Sequence, residues 1–115
     1  MKLILYIFLI YKMQVLVSQS QPLRSYTKEF LTAATKGNIN KVIKLLEIVN
    51  VNIKNYIGET ALMRAYDERY KYGHTQVVRL LLNKGADKTL QTKWGDTALK
   101  YANEGGNTEI VELLQ

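Results

Sequence analysis

Five of the six positions from Val77 to Leu82 are apolar: Val77, Val78, Leu80, Leu81 and Leu82. Turn chemistry flanks them, with Gly73, His74 and Thr75 before and Gly85, Ala86 and Asp87 after. His74 and Thr75 stand where a helix N-cap belongs. The pattern predicts a short helix that is apolar over most of its circumference and buried on more than one side. A helix of about ten residues is not stable alone, so it needs neighbours of the same kind. The chain supplies them. Gly106 to Leu114 reads GNTEIVELL, and Gly37 to Leu46 reads GNINKVIKLL. A second recurring unit precedes the later copies: GETAL from Gly58 to Leu62 and GDTAL from Gly95 to Leu99, their glycines 37 residues apart. Further upstream, Phe30, Leu31, Ala33 and Ala34 share one helical face, predicting a helix from Tyr26 or Thr27 to Gly37 and a second from Lys41 to about Val49. The polar, turn-rich stretches 52–58 (NIKNYIG) and 89–95 (TLQTKWG) predict protruding β-turn fingers. Helix, turn, helix and finger recurring at a fixed spacing is the signature of a stacked array.

Gly58, Thr60, Leu62, Ala65, Gly73, His74, Val77, Val78, Leu80, Leu81, Gly85, Ala86 and Asp87 fall at fixed offsets, as do Gly95, Thr97, Leu99, Ala102, Gly106, Ile110, Val111, Leu113 and Leu114. In this pattern the chain resembles the ankyrin-repeat family from about residue 27 to its end. The resemblance implies an all-α solenoid of about three helix-turn-helix repeats with β-turn fingers, preceded by an N-terminal apolar segment. Residues 27–55 form a first, capping-like repeat, 56–92 a second and 93–115 a third, truncated one. Ala61 and Ala98 replace the family's Pro, and Met63 and Lys100 its His, which puts the His-mediated bond between repeats in doubt. The second repeat carries four extra residues between Ala65 and Gly73. That is close to one helical turn, so either a longer helix or a bulged loop accommodates them.

The family binds proteins through its fingertips and the exposed side of its first helices. Carried over, this places contacts at Lys54, Tyr56, Ile57, Glu59, Asp67 and Glu68, and at Gln91, Lys93, Trp94, Asp96 and Glu104. Ile57 and Trp94 hold the same position just before the finger glycine, where an apolar residue reads as an interface anchor. In the third repeat, Ile110, Val111, Leu113 and Leu114 are expected to lack a neighbour on one side. That edge is partly exposed, packs against another chain in an assembly role (a second copy or a larger complex), or marks a degenerate gene fragment.

Residues 1–20 differ from the rest. Lys2 precedes the apolar run LILYIFLIY, then come Lys12, a second apolar stretch and SQSQ. This order reads as a signal peptide, with a membrane anchor as the alternative, and residues 21–26 as a linker. The protein is therefore expected to be secreted or extracytoplasmic, or else membrane-anchored. Met13 is an alternative start that would erase most of the signal.

Composition narrows the chemistry. The chain has no Cys, which excludes disulfides and thiolate metal sites. Its one His belongs to the Gly-His turn, and no nucleophile, base and acid form a set, so no enzyme, cofactor or metal site is expected. The net charge of +6 is spread among acidic residues without a stacking motif, and nucleic acid is not expected as a partner. An abundance of Ile, Lys, Asn and Tyr points to an AT-rich genome such as that of a host-restricted bacterium. What remains is a partner protein of unknown identity, a host protein if the source is such a bacterium.

Overall fold

The computed structural model of the chain describes residues 2–66 and 74–115, with side chains described outside 14–23. Six helices lie among the described residues: α1 (Lys2–Lys36), α2 (Ile39–Leu45), α3 (Ala61–Arg64), α4 (Thr75–Asn83), α5 (Ala98–Gly105) and α6 (Thr108–Leu114). No strand occurs among them. The helices pair in chain order, and α1, α3 and α5 form one layer while α2, α4 and α6 form the other.

Side-chain caps set most helix starts. Asn38, Thr60, Thr97 and Asn107 each accept the N–H three residues on, satisfying one of the donors a helix start leaves open. The Asn38 cap starts α2 at Ile39, earlier than the expected Lys41. After Leu45 the chain tightens, and the N–H of Ile48 and of Val49 both bond the Leu45 carbonyl. That turn tucks Val49 into the core.

The expected linker at 21–26 is part of α1, which runs unbroken from Lys2 to Lys36. Residues 2–36 contain no Gly and a single Pro, and Pro22 does not end the helix. Among the described side chains of α1, the buried apolar ones are Phe30, Leu31, Ala33 and Ala34, all near its end. Leu3 to Tyr11 and Met13 are exposed at every apolar position. The projecting helix makes the molecule 65 Å long and 30 × 23 Å across. No helix among the described residues is long and apolar enough to cross a membrane.

The core threads through the whole stack. Phe30, Val42, Val77, Val78, Leu81 and Ile110 are its largest fully buried side chains. Each contributes roughly 1.5–3 kcal/mol of burial. Alanines at 33, 34, 61, 65, 98 and 102 are buried where the first-layer helices meet, and their small size allows close approach. The outer edge is divided between its four apolar residues. Ile110 and Leu114 are buried, because they lie four apart on the face of α6 turned towards α4 and α5. Val111 and Leu113 are the half-buried residues there.

The interrupted second repeat closes as the first one does. The His74 N–H donates to the Ala65 carbonyl at 3.1 Å, just as the Asn38 N–H donates to the Ala33 carbonyl at 2.9 Å. Helix α3 ends at Arg64, with Ala65 as its C-cap. Asp67 to Gly73, which hold most of the insert, lie outside the described residues.

The bond between repeats that was in doubt is made by another residue. His74 Nε2 donates to the Thr35 carbonyl at 2.9 Å, across the joint between the first and second repeats. The Thr35 hydroxyl donates to the Leu31 carbonyl and accepts from Arg64 Nε, each at 2.9 Å. At the next joint the buried Tyr66 ring lies against Gly105, where any Cβ would overlap the phenol.

Candidate protein-binding surface

Two fingers project from the stack, and each is built by a side chain rather than a strand. In the first, Asn55 Oδ1 accepts the N–H of Ile57 at 3.1 Å and of Glu59 at 2.9 Å. In the second, Thr92 Oγ1 accepts the N–H of Trp94 at 3.3 Å and of Asp96 at 3.2 Å. Backbone bonds close both: Asn55 N–H to Glu59 and Gly58 N–H to Asn55, then Thr92 N–H to Asp96 and Gly95 N–H to Thr92. Asn55 and Thr92 thus perform the same task with different functional groups, an Asx turn and its hydroxyl counterpart.

The fingers are tied to each other. The Lys93 N–H donates to the Ile57 carbonyl at 3.0 Å, and the Asp87 N–H to Asn52 Oδ1 at 2.8 Å. Asp87 in turn accepts from the N–H and hydroxyl of Thr89, which holds its carboxyl below the usual carboxylate range. These bonds fix the tips before any partner arrives.

The expected contact residues separate into distinct groups. Tyr56 and Trp94 stand out at the tips, 91% and 63% exposed, and Lys93 lies over the Trp94 ring at 5.0 Å. Ile57 holds the same position as Trp94 but is half-buried, because the second finger's backbone packs against the first at this point. Lys54 and Gln91 are exposed.

The acids are largely engaged within the chain. Glu59 accepts from Asn55 Nδ2 at 2.9 Å and pairs with Arg64 at 3.6 Å. Asp96 and Glu104 both pair with Lys100, and the Asp96 hydrogen bond pushes the Lys100 ammonium up. Tyr101 sits among these groups; burial pushes its phenol up, and the Glu59 carboxylate adds to the effect. Asp67 and Glu68 lie outside the described residues.

Beside the first finger opens a cleft of about 840 Å³ that was not foreseen from the sequence. Its walls come from α1, through Arg24, Lys28 and Leu31, and from the finger, through Lys54 and Tyr56, with Arg64 between. Arg24 escaped notice because 21–26 reads as a linker. The four-residue spacing of Arg24 and Lys28, which puts both on one helix face, was the available signal. Among the described residues no group of three or more His, Cys, Asp or Glu could hold a metal ion.

Comparison with known proteins agrees with this architecture. A family model described as ankyrin repeats (3 copies) matches residues 13–91 and 30–115. The chain belongs to the ankyrin-repeat family. It is 39% identical over 87 residues to the putative ankyrin repeat protein YahD of Escherichia coli (strain K12), covering 71% of this chain and 42% of that one. It is 40% identical over 84 residues to the probable E3 ubiquitin-protein ligase XBOS33 of Oryza sativa subsp. japonica, covering 71% of this chain and 15% of the relative. The crystal structure of the ankyrin repeat protein EF0377 superposes with a TM-score of 0.68 at 38% identity, over 74% of this chain and 44% of that one. The chain therefore spans less than half the length of each of these relatives. Ankyrin repeats are generally protein–protein interaction modules, and this holds for the family to which the chain belongs.

Proposed function

We propose that this protein is a non-catalytic binding module that engages one partner protein through its fingertips and the concave side of α1 and α3. The observation that carries this reading is the pair of exposed aromatics, Tyr56 and Trp94, on fingers whose turns are already hydrogen-bonded. Large rings on preorganised turns give contact area at little ordering cost, the usual basis of an interface hot spot. Neither ring is needed by the core. The test is capture of partners from the native cell by the full chain and by its Tyr56→Ser/Trp94→Ser variant. A partner held by the wild type should be lost by the variant, with helical circular dichroism unchanged. Equal capture by both overturns the reading.

The same proposal puts the partner outside the cytoplasm, with residues 1–20 acting as a signal peptide or membrane anchor. Support comes from the continuous exposed apolar positions Leu3 to Tyr11, which no part of the fold covers. Fractionation with intact-mass analysis should find a chain shortened by about twenty residues outside the cytoplasm, or a full-length one in the membrane. A full-length soluble chain in the cytoplasm would sink this part.

A further inference from the structure

Of the seven charged contact residues expected from the family pattern five are acidic, yet the described charges lining the cleft beside the first finger are all cations. Glu59, Asp96 and Glu104 are each paired with a cation of the same repeat. In the cleft between α1 and the first finger, Arg24, Lys28 and Lys54 form no ion pair with a described residue, and no acid among the described residues lines the walls. Lys54 also lends part of its field to Asp87. The floor cation, Arg64, is held by Glu59 and Thr35 and so is fixed in place.

The cleft volume lies within the range of about 300–1,000 Å³ typical of ligand sites. Its walls are not purely polar. The Tyr56 ring and the carbon stems of the long cations offer apolar surface beside the charges, and buried Leu31 backs the cleft. This combination fits a chain that carries carboxylates and an apolar side chain together. It fits a nucleic acid less well, because the cationic stripe does not continue. At the second finger the positions of Lys54 and Tyr56 are taken by Gln91 and Lys93, Lys93 lies over Trp94, and Lys100 is occupied by Asp96 and Glu104. A polyanion that tracks many cations would gain little here.

We infer that this cleft takes an extended acidic segment of the partner protein, with carboxylates on Arg24, Lys28 and Lys54 and an apolar residue against the Tyr56 ring. The inference rests on the binding-module reading above and adds the chemistry of the ligand. It is tested by fluorescence anisotropy on the full chain, using a short labelled peptide that alternates Glu with Leu, the same peptide with Gln for Glu, and an oligothymidylate. The Glu peptide should bind, and binding should weaken with salt as exposed charges are screened. Lys28→Glu/Lys54→Glu should weaken it roughly tenfold or more, and Arg24→Glu should act in the same direction. All three residues are exposed, so circular dichroism should match the wild type.

No binding of the Glu peptide overturns the inference. So does equal affinity for the Gln peptide, indifference to the charge reversals in a folded variant, or tighter binding of the oligothymidylate. Any of these strikes the acidic ligand alone, because partner capture through Tyr56 and Trp94 is decided by a different variant.

Discussion

Two glycines at equivalent finger positions show how much one neighbour changes the demand on a residue. Gly58 and Gly95 have φ of 87° and 83°, a region in which a Cβ costs about 1–2 kcal/mol. A Cβ on Gly95 would meet nothing within 4 Å, whereas one on Gly58 would lie 3.1 to 3.3 Å from the backbone of Gln91, Thr92 and Lys93. Backbone tied by its own hydrogen bonds cannot yield cheaply. Gly95→Ala should therefore lose about 1–2 kcal/mol in urea unfolding and Gly58→Ala about 2–4 kcal/mol. Equal losses would show that the second finger moves aside freely. The two glycines are identical in sequence pattern, so this difference was not legible there. Nor was the difference between Ile57 and Trp94, which share a position in the repeat but not a neighbouring finger. Asn55 and Thr92 escaped for another reason: a carbonyl and a hydroxyl do the same job, and identity matching passes over them.

At the scale of elements, α1 serves two purposes along its 35 residues. Its last two turns carry Phe30, Leu31, Ala33 and Ala34 into the core, while its first twelve residues bury no apolar side chain. A chain starting at Met13 should consequently keep the melting temperature of the full protein to within about 2 °C, since a loss of even 1 kcal/mol moves a domain of this size by roughly 4–8 °C. A fall of that size would mean that the projecting turns pack on something in the folded state. The repeat helices were legible because their apolar residues recur at fixed offsets and most of their caps are Asn or Thr. The extent of α1 was not, because Pro22 and the polar stretch around it carry the local marks of a linker. The partners of Thr35 were equally hidden. They are Arg64 and His74, 29 and 39 residues away, and only stacking brings them together.

For the molecule as a whole, the two joints of the stack are held by different means. Polar bonds at Thr35 join the first repeat to the second, and the Tyr66 ring seated on Gly105 joins the second to the third. The fingers add a backbone rung across the second joint through Lys93 and Ile57. Both joints are local in sequence compared with a β-sandwich, as expected of an array in which each unit touches only its neighbours. The architecture could be read from repeat spacing alone, but the cationic lining of the cleft beside the first finger could not, because it depends on how stacking sets α1 against that finger. The bond from His74 to Ala65 carries one last consequence. It holds Ala65 and His74 within a hydrogen bond of each other, so the two flanks of the extra stretch meet although eight residues separate them in the chain. Loop-closure entropy rises by only about 0.6 kcal/mol per doubling of length. That makes the chain after Tyr66 a natural socket for a grafted epitope or reporter.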